Sequence, residues 1–136
     1  MSSSVELQDL YLNALKGNAA IMALVGGIYD RVPKNPYGKK TAYISFGADD
    51  STENDAECIT GREITSQLDV WSIEPGKTEC KTIVDLVRRA LHRQPLALTE
   101  NALVDIWVTL VRVLPDPDGL TTHGVVQVTA MVEEPS

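Results

Sequence analysis

The sequence predicts an α+β domain: a mainly antiparallel sheet of about four strands, two helices packed on one face, and a long C-terminal β-hairpin. Three observations carry this. Apolar residues recur at helical spacing near the N-terminus and again after the middle of the chain. Other segments alternate or run β-branched, as strands do. The last two of these flank a tight turn, Asp116-Pro117-Asp118-Gly119. With 136 residues the chain makes one domain, 1–136, able to bury a core without staples.

Each element follows in order. Residues 1–4 are expected to be a flexible N-terminus, and Ser3-Ser4-Val5-Glu6 has the form of a capping box. Leu7, Leu10, Tyr11, Ala14 and Leu15 then form an amphipathic stripe, interrupted at Gly17-Asn18. Residues 19–25 give a short helical piece stopped by Gly26-Gly27. Residues 28–40, with two prolines, read as a short extended piece and a loop. Residues 41–47 alternate as a strand. Residues 49–57 hold five acids in nine positions and are expected to be a mobile, solvated loop.

Residues 63–73 alternate again. Ile64, Leu68 and Val70 share one face; Thr65, Gln67, Asp69 and Trp71 share the other. A tryptophan on the polar face is anomalous. Cys80, Ile83, Val84, Val87, Ala90 and Leu91 make one helical stripe, with Asp85 and Arg89 an i,i+4 pair and Pro95 a stop. Residues 103–114 are β-branched and apolar on both faces, which predicts a central strand or one packed on both sides. Residues 124–132 make the last strand, paired with it in the hairpin.

Composition bounds the function. At 43% hydrophobic residues, wholesale disorder is excluded. A net charge of −7, from 19 acids and 12 bases, argues against a tight nonspecific grip on nucleic acid. Cys58 and Cys80 are too few for a disulfide framework and fit reduced thiols, with a single bridge left open. The opening MSSSVELQDL lacks the basic and apolar regions of a leader. No apolar run reaches the ~18–20 residues of a membrane span.

Chemistry-bearing residues do not assemble into a site. His92 reads as a helix-end residue and His123 as a structural or interface residue; neither has a nucleophile in a recognisable arrangement. Asp116, Asp118 and His123 are suitable metal ligands by type, but Asp-Pro-Asp-Gly is first a turn. The acidic run lacks calcium-loop spacing. Gly76-Lys77-Thr78 lacks the upstream glycine of a phosphate loop. No cofactor or metal is expected.

Three segments carry a family resemblance. Residues 23–33, ALVGGIYDRVP, resemble the opening of the phage tail completion, or tail terminator, family. So do Leu68-Asp69-Val70-Trp71-Ser72, followed by a helix ending Val87-Arg88-Arg89-Ala90-Leu91-His92, and residues 116–124, DPDGLTTHG. The order and spacing match over roughly residues 5–133. The resemblance implies a small structural virion subunit with no catalytic residues. It implies a ring, usually of six copies, that caps the tail tube and joins the tail to the neck. Its partners would be itself, the tail tube protein and a head-completion or stopper protein. DNA would pass through the lumen without specific binding, and no membrane would be involved. The location implied is the tail and neck region of a virion, including gene-transfer-agent-like particles, assembled in the host cytoplasm. Other readings are a different neck, head-completion or tail-tube-like subunit, or a small ligand-binding module.

Interface candidates follow from exposure and composition. Trp71 is an anchor, since tryptophan is enriched at interface hot spots, with Asp69 beside it on the same face; Trp107 reads as core. Arg31, Lys34, Lys39 and Lys40 lie on the proline-rich loop; Asp49, Asp50, Glu53 and Asp55 on the acidic segment; Asp116, Asp118 and His123 at the hairpin turn.

Overall fold

Helix α1 (Ser3–Lys16) buries the stripe that its spacing defines, with Leu7, Tyr11 and Leu15 inside. Its cap is Ser2, whose side chain accepts from the N–H of Val5 at 3.2 Å. Ser3 and Ser4 therefore belong to the helix, not to a flexible end, and Ser3 Oγ donates to Glu134 Oε2 at 2.7 Å. The cap lies one residue earlier than a capping box from Ser3 requires, so Glu6 is free for another task. Its carboxylate turns to the segment before the hairpin. There it accepts from Thr99, Glu100 and Asn101 at 2.8–3.0 Å.

The computed structural model describes residues 1–56 and 59–135. After α1 come α2 (Ala19–Met22), β1 (Ile28–Tyr29), β2 (Ala42–Glu53), β3 (Thr60–Ser72), α3 (Thr78–Leu91), β4 (Ala102–Pro115) and β5 (Thr122–Glu134). The strands form one sheet in the order β1-β2-β3-β5-β4. Only the β1–β2 pair is parallel.

Alternation sorts the side chains. Ile64, Leu68 and Val70 of β3 and Val126, Val128, Ala130 and Val132 of β5 face the helices and join the core with Ile83, Val84, Val87 and Leu91 of α3. Gly124 sets how closely α3 approaches. A Cβ there would lie 2.5 Å from Val84 Cγ2 and 2.8 Å from Cys80 Sγ. Cys80 is core, and burial pushes its thiol up to about 11. Cys58 lies outside the described residues. Glu79 ties the start of α3 to the sheet, accepting from Thr41 Oγ1 at 2.6 Å and from Ser72 Oγ at 2.7 Å.

Two expectations are corrected. The acidic segment is strand, not loop, as far as Glu53. Past a bulge between Phe46 and Asp49, β2 pairs with β3 from Asp49↔Ser66 to Glu53↔Arg62. Aspartate is a poor strand former, but a complete antiparallel ladder with solvated side chains outweighs that preference. Strand β4, expected to be central or packed on both sides, is an edge. The middle place goes to β3, and β5, whose valines and single glycine fit under α3, lies between β3 and β4. On the face of β4 away from the helices, Trp107, Leu110 and Leu114 are only half-buried.

Candidate interaction surface

Among the described residues, no helix or second sheet covers the sheet face away from the helices. Register places Tyr43, Trp71, His123 and Leu114 in one row across β2, β3, β5 and β4. The rings in that row touch. Trp71 and His123 stack with centroids 3.9 Å apart and planes inclined by 6°. Tyr43 lies 6.4 Å from Trp71, and Tyr37 meets Tyr43 edge-on at 4.9 Å. Trp71 Nε1 donates to Ser45 Oγ at 3.1 Å. The adjoining row holds Asp69, whose Oδ1 sits 2.7 Å from His123 Nε2 and accepts from Gln67 Nε2 at 2.9 Å. The anomalous tryptophan is therefore fixed in orientation by a polar frame and left half-buried.

Asp69 and Trp71, which alternation puts on one face, and His123, singled out apart from them, converge here. Tyr43 and Ser45 complete the surface. Their alternation with Ile44 puts them opposite the core, but nothing else in the sequence marks them as surface anchors. Trp107 is also on this face, opposite Thr129, and not in the core. Arg93 lies over its ring at 5.5 Å and forms a salt bridge with Asp105 at 2.7 Å.

The other candidates fall into separate groups. Arg31, Lys34, Lys39 and Lys40 lie on the segment between β1 and β2. Its middle is tied down, since Tyr29 Oη donates to the carbonyl of Pro36 at 2.9 Å. A Cβ on Gly26 would lie 2.0 Å from the Tyr37 carbonyl oxygen, so only glycine fits there. Lys40 Nζ donates to the Ala23 carbonyl, where α2 ends. Asp116 and Asp118 lie near this segment. Burial raises the pKa of Tyr37, and those two carboxylates raise it further. Asp118 shapes the hairpin turn by accepting from Leu120 and Thr121, and these bonds, that of Thr121 Oγ1 first, lower its pKa. Asp49, Asp50, Glu53 and Asp55 are exposed at the far end of the sheet, on β2 and just beyond it.

His92 has a use that its helix-end position did not announce. Its Nδ1 accepts from the N–H of Val108 at 2.9 Å, and the N–H of Arg93 donates to the Ile106 carbonyl at 3.1 Å. The two cap the middle of the β4 edge. Among the described residues, no group of three or more His, Cys, Asp or Glu is placed to hold a metal. Among the same residues, no helix is long and apolar enough to cross a membrane.

An α+β subunit with one helix-covered sheet face, one bare aromatic face and a partly open edge has the surfaces of a structural assembly subunit. Residues 11–133 match the family model "Tail completion protein gp17", and the chain belongs to that family. It is similar to the tail completion protein gp17 of Bacillus phage SPP1, 28% identical over 127 residues, covering 93% of this chain and 91% of that one. It is also similar in structure to a chain from the virion of a native gene transfer agent particle. There the TM-score is 0.84 at 25% identity, over 93% of this chain and 94% of the other. The protein is thus a structural component of the virion tail region, with a role in tail completion, and its family is not one of enzymes.

Proposed function

We propose that this chain is a tail terminator subunit. Copies close into a ring, a hexamer in the simplest case, that caps the tail tube and joins the tail to the head-completion protein of the neck. The observation that supports this best is the bare sheet face with its row of Tyr43, Trp71 and His123. Aromatic groups held by hydrogen bonds and left half-buried are suited to anchoring a protein neighbour. A closed ring needs two different, mutually complementary surfaces on each copy. The acidic balance of the chain, −7 overall, suits a lumen that lets DNA pass without holding it.

The test is the mass of the purified protein, alone and mixed with the tail tube protein of its particle. A ring of fixed mass, formed alone or on the tube, is the expected result. A chain that stays monomeric under both conditions overturns the reading. Trp71→Ala should leave the fold intact and weaken attachment to tube or neck by about tenfold or more.

A further inference from the structure

The two edges of the sheet differ in charge and in what covers them. On the β2 side, β1 pairs only with Ile44 and Ser45. Past the bulge, residues 49–53 present an edge with no strand against it among the described residues. This edge is acidic. Cross-strand partners share a face, so Asp49, opposite Ser66, and Glu53, opposite Arg62, point to the helix side. Asp50, opposite Thr65, points to the bare face.

On the β4 side, His92 and Arg93 cap the edge only around Ile106 and Val108. Past a second bulge, between Val108 and Leu110, no strand lies against the edge as far as Pro115 among the described residues. Beside it runs a groove of about 430 Å³ between α3 and β4. Its walls are Val84, Val111 and Val113, and Lys81, Asp85 and Arg88 rim it. Lys81 forms no salt bridge among the described residues, and Arg88 shares Asp85 with Arg89. On the bare face of the same strand stands Arg112, opposite Val125. Long apolar edges are normally blocked, because their free N–H and C=O groups recruit another strand.

We propose that the open half of the β4 edge, with its α3 groove, is the docking site for the acidic β2 edge of the next copy of this chain. The sheet then continues from copy to copy. This rests on the ring proposed above and names the surfaces that close it. Charge complementarity holds on both faces of the joined sheet. Asp49 and Glu53 meet the Lys81 and Arg88 rim on the helix side, and Asp50 meets Arg112 on the bare side. The two edges are unlike, so the contact is head-to-tail, as ring closure requires. Main-chain pairing provides the affinity, and the charges fix partner and register.

Two reversed chains test this. One carries Asp49→Lys, Asp50→Lys and Glu53→Lys; the other carries Lys81→Glu, Arg88→Glu and Arg112→Glu. All six side chains are at the surface, and melting curves check that each variant folds. Sedimentation mass is read for each full chain and for their equimolar mixture, with and without tail tubes. Each variant alone should lose the ring, with association weakened by about tenfold or more. The mixture should restore it to within about threefold of wild type, because copies can alternate around the ring. A ring that forms in either variant as in wild type overturns the inference and leaves the ring itself standing. So does a folded mixture that stays monomeric while wild type assembles. A wild-type chain that never assembles overturns both.

Discussion

The imidazole of His123 lies flat on the indole of Trp71, with ring centroids 3.9 Å apart. Its Nε2 reaches Asp69 Oδ1 at 2.7 Å, and Asp69 is only 7% exposed. One side chain thus links a stacking contact to a polar one across β3 and β5. His123→Ala removes both and leaves the Asp69 carboxylate with only Gln67. Stability should fall by about 1–2 kcal/mol. His123→Phe keeps the stack and should recover about half of that loss. Denaturant melts of the three proteins read this directly, and an unchanged midpoint for His123→Ala would show that the pair contributes nothing to the fold.

That cluster also shows what the sequence could convey. Asp69 and Trp71 are two residues apart on a strand, so alternation alone puts them on one face, opposite Leu68 and Val70. The hairpin turn fixes which residues of β5 face inward, and His123 follows from Gly124. What could not be read was the register of β3 against β5, which brings His123 to Trp71. Helix α3 was legible because its stripe is uninterrupted. The distal half of β2 was not, because a ladder with β3 overrides the low strand preference of Asp49 and Asp50. Strand β4 misled for a different reason. Apolar residues on both faces signal burial, and they are equally what an assembly interface needs. Local spacing pairs Glu6 with the cap of its own helix because it shows only near partners, whereas its five hydrogen bonds reach residues 99–101.

Glu6 makes stability depend on pH. The backbone N–H of Glu100, with Thr99 and Asn101, holds its pKa at about 2 against an ordinary 4.5, while burial opposes them. Below about 4.5 the unfolded chain takes up a proton that the folded chain refuses. The contribution of Glu6 is therefore complete above that pH and is lost as pH falls toward 2. Glu6→Gln should melt lower than wild type at pH 7, and the gap should close in acid. Parallel melting curves for the two proteins at any constant separation from pH 7 to pH 2 would contradict this.

Tyr11 offers the opposite case. Its side chain is 1% exposed, and its hydroxyl has no hydrogen-bond partner among the described residues. Burial pushes the phenol above its ordinary range, and the charge of Asp49 adds to the shift. A buried donor without a partner bears a desolvation cost that packing must offset. Tyr11→Phe removes the hydroxyl and keeps the ring. The variant should be as stable as wild type or more stable by about 1 kcal/mol. A loss of more than that amount would mean that the hydroxyl is satisfied in solution, by water or by a neighbour.

Gly124 connects one of the family-like segments to the core. It stands opposite Val70 on β3 and Val113 on β4, under the part of α3 that carries Cys80 and Val84. An added methyl would meet Val84 Cγ2 at 2.5 Å, Cys80 Sγ at 2.8 Å and Val70 Cβ at 3.3 Å. None of these is the far end of a long flexible side chain, so α3 must lift or tilt. Gly124→Ala should cost about 1–3 kcal/mol by overpacking, even though alanine suits a strand better than glycine does. Trimming the opposing side chain separates the causes. Val84→Ala alone opens a cavity and destabilises, but combined with Gly124→Ala it should recover part of both losses, since the two changes compensate in volume. Simple additivity of the two losses would show that the clash is relieved elsewhere, and that the glycine is kept for some reason other than the approach of α3.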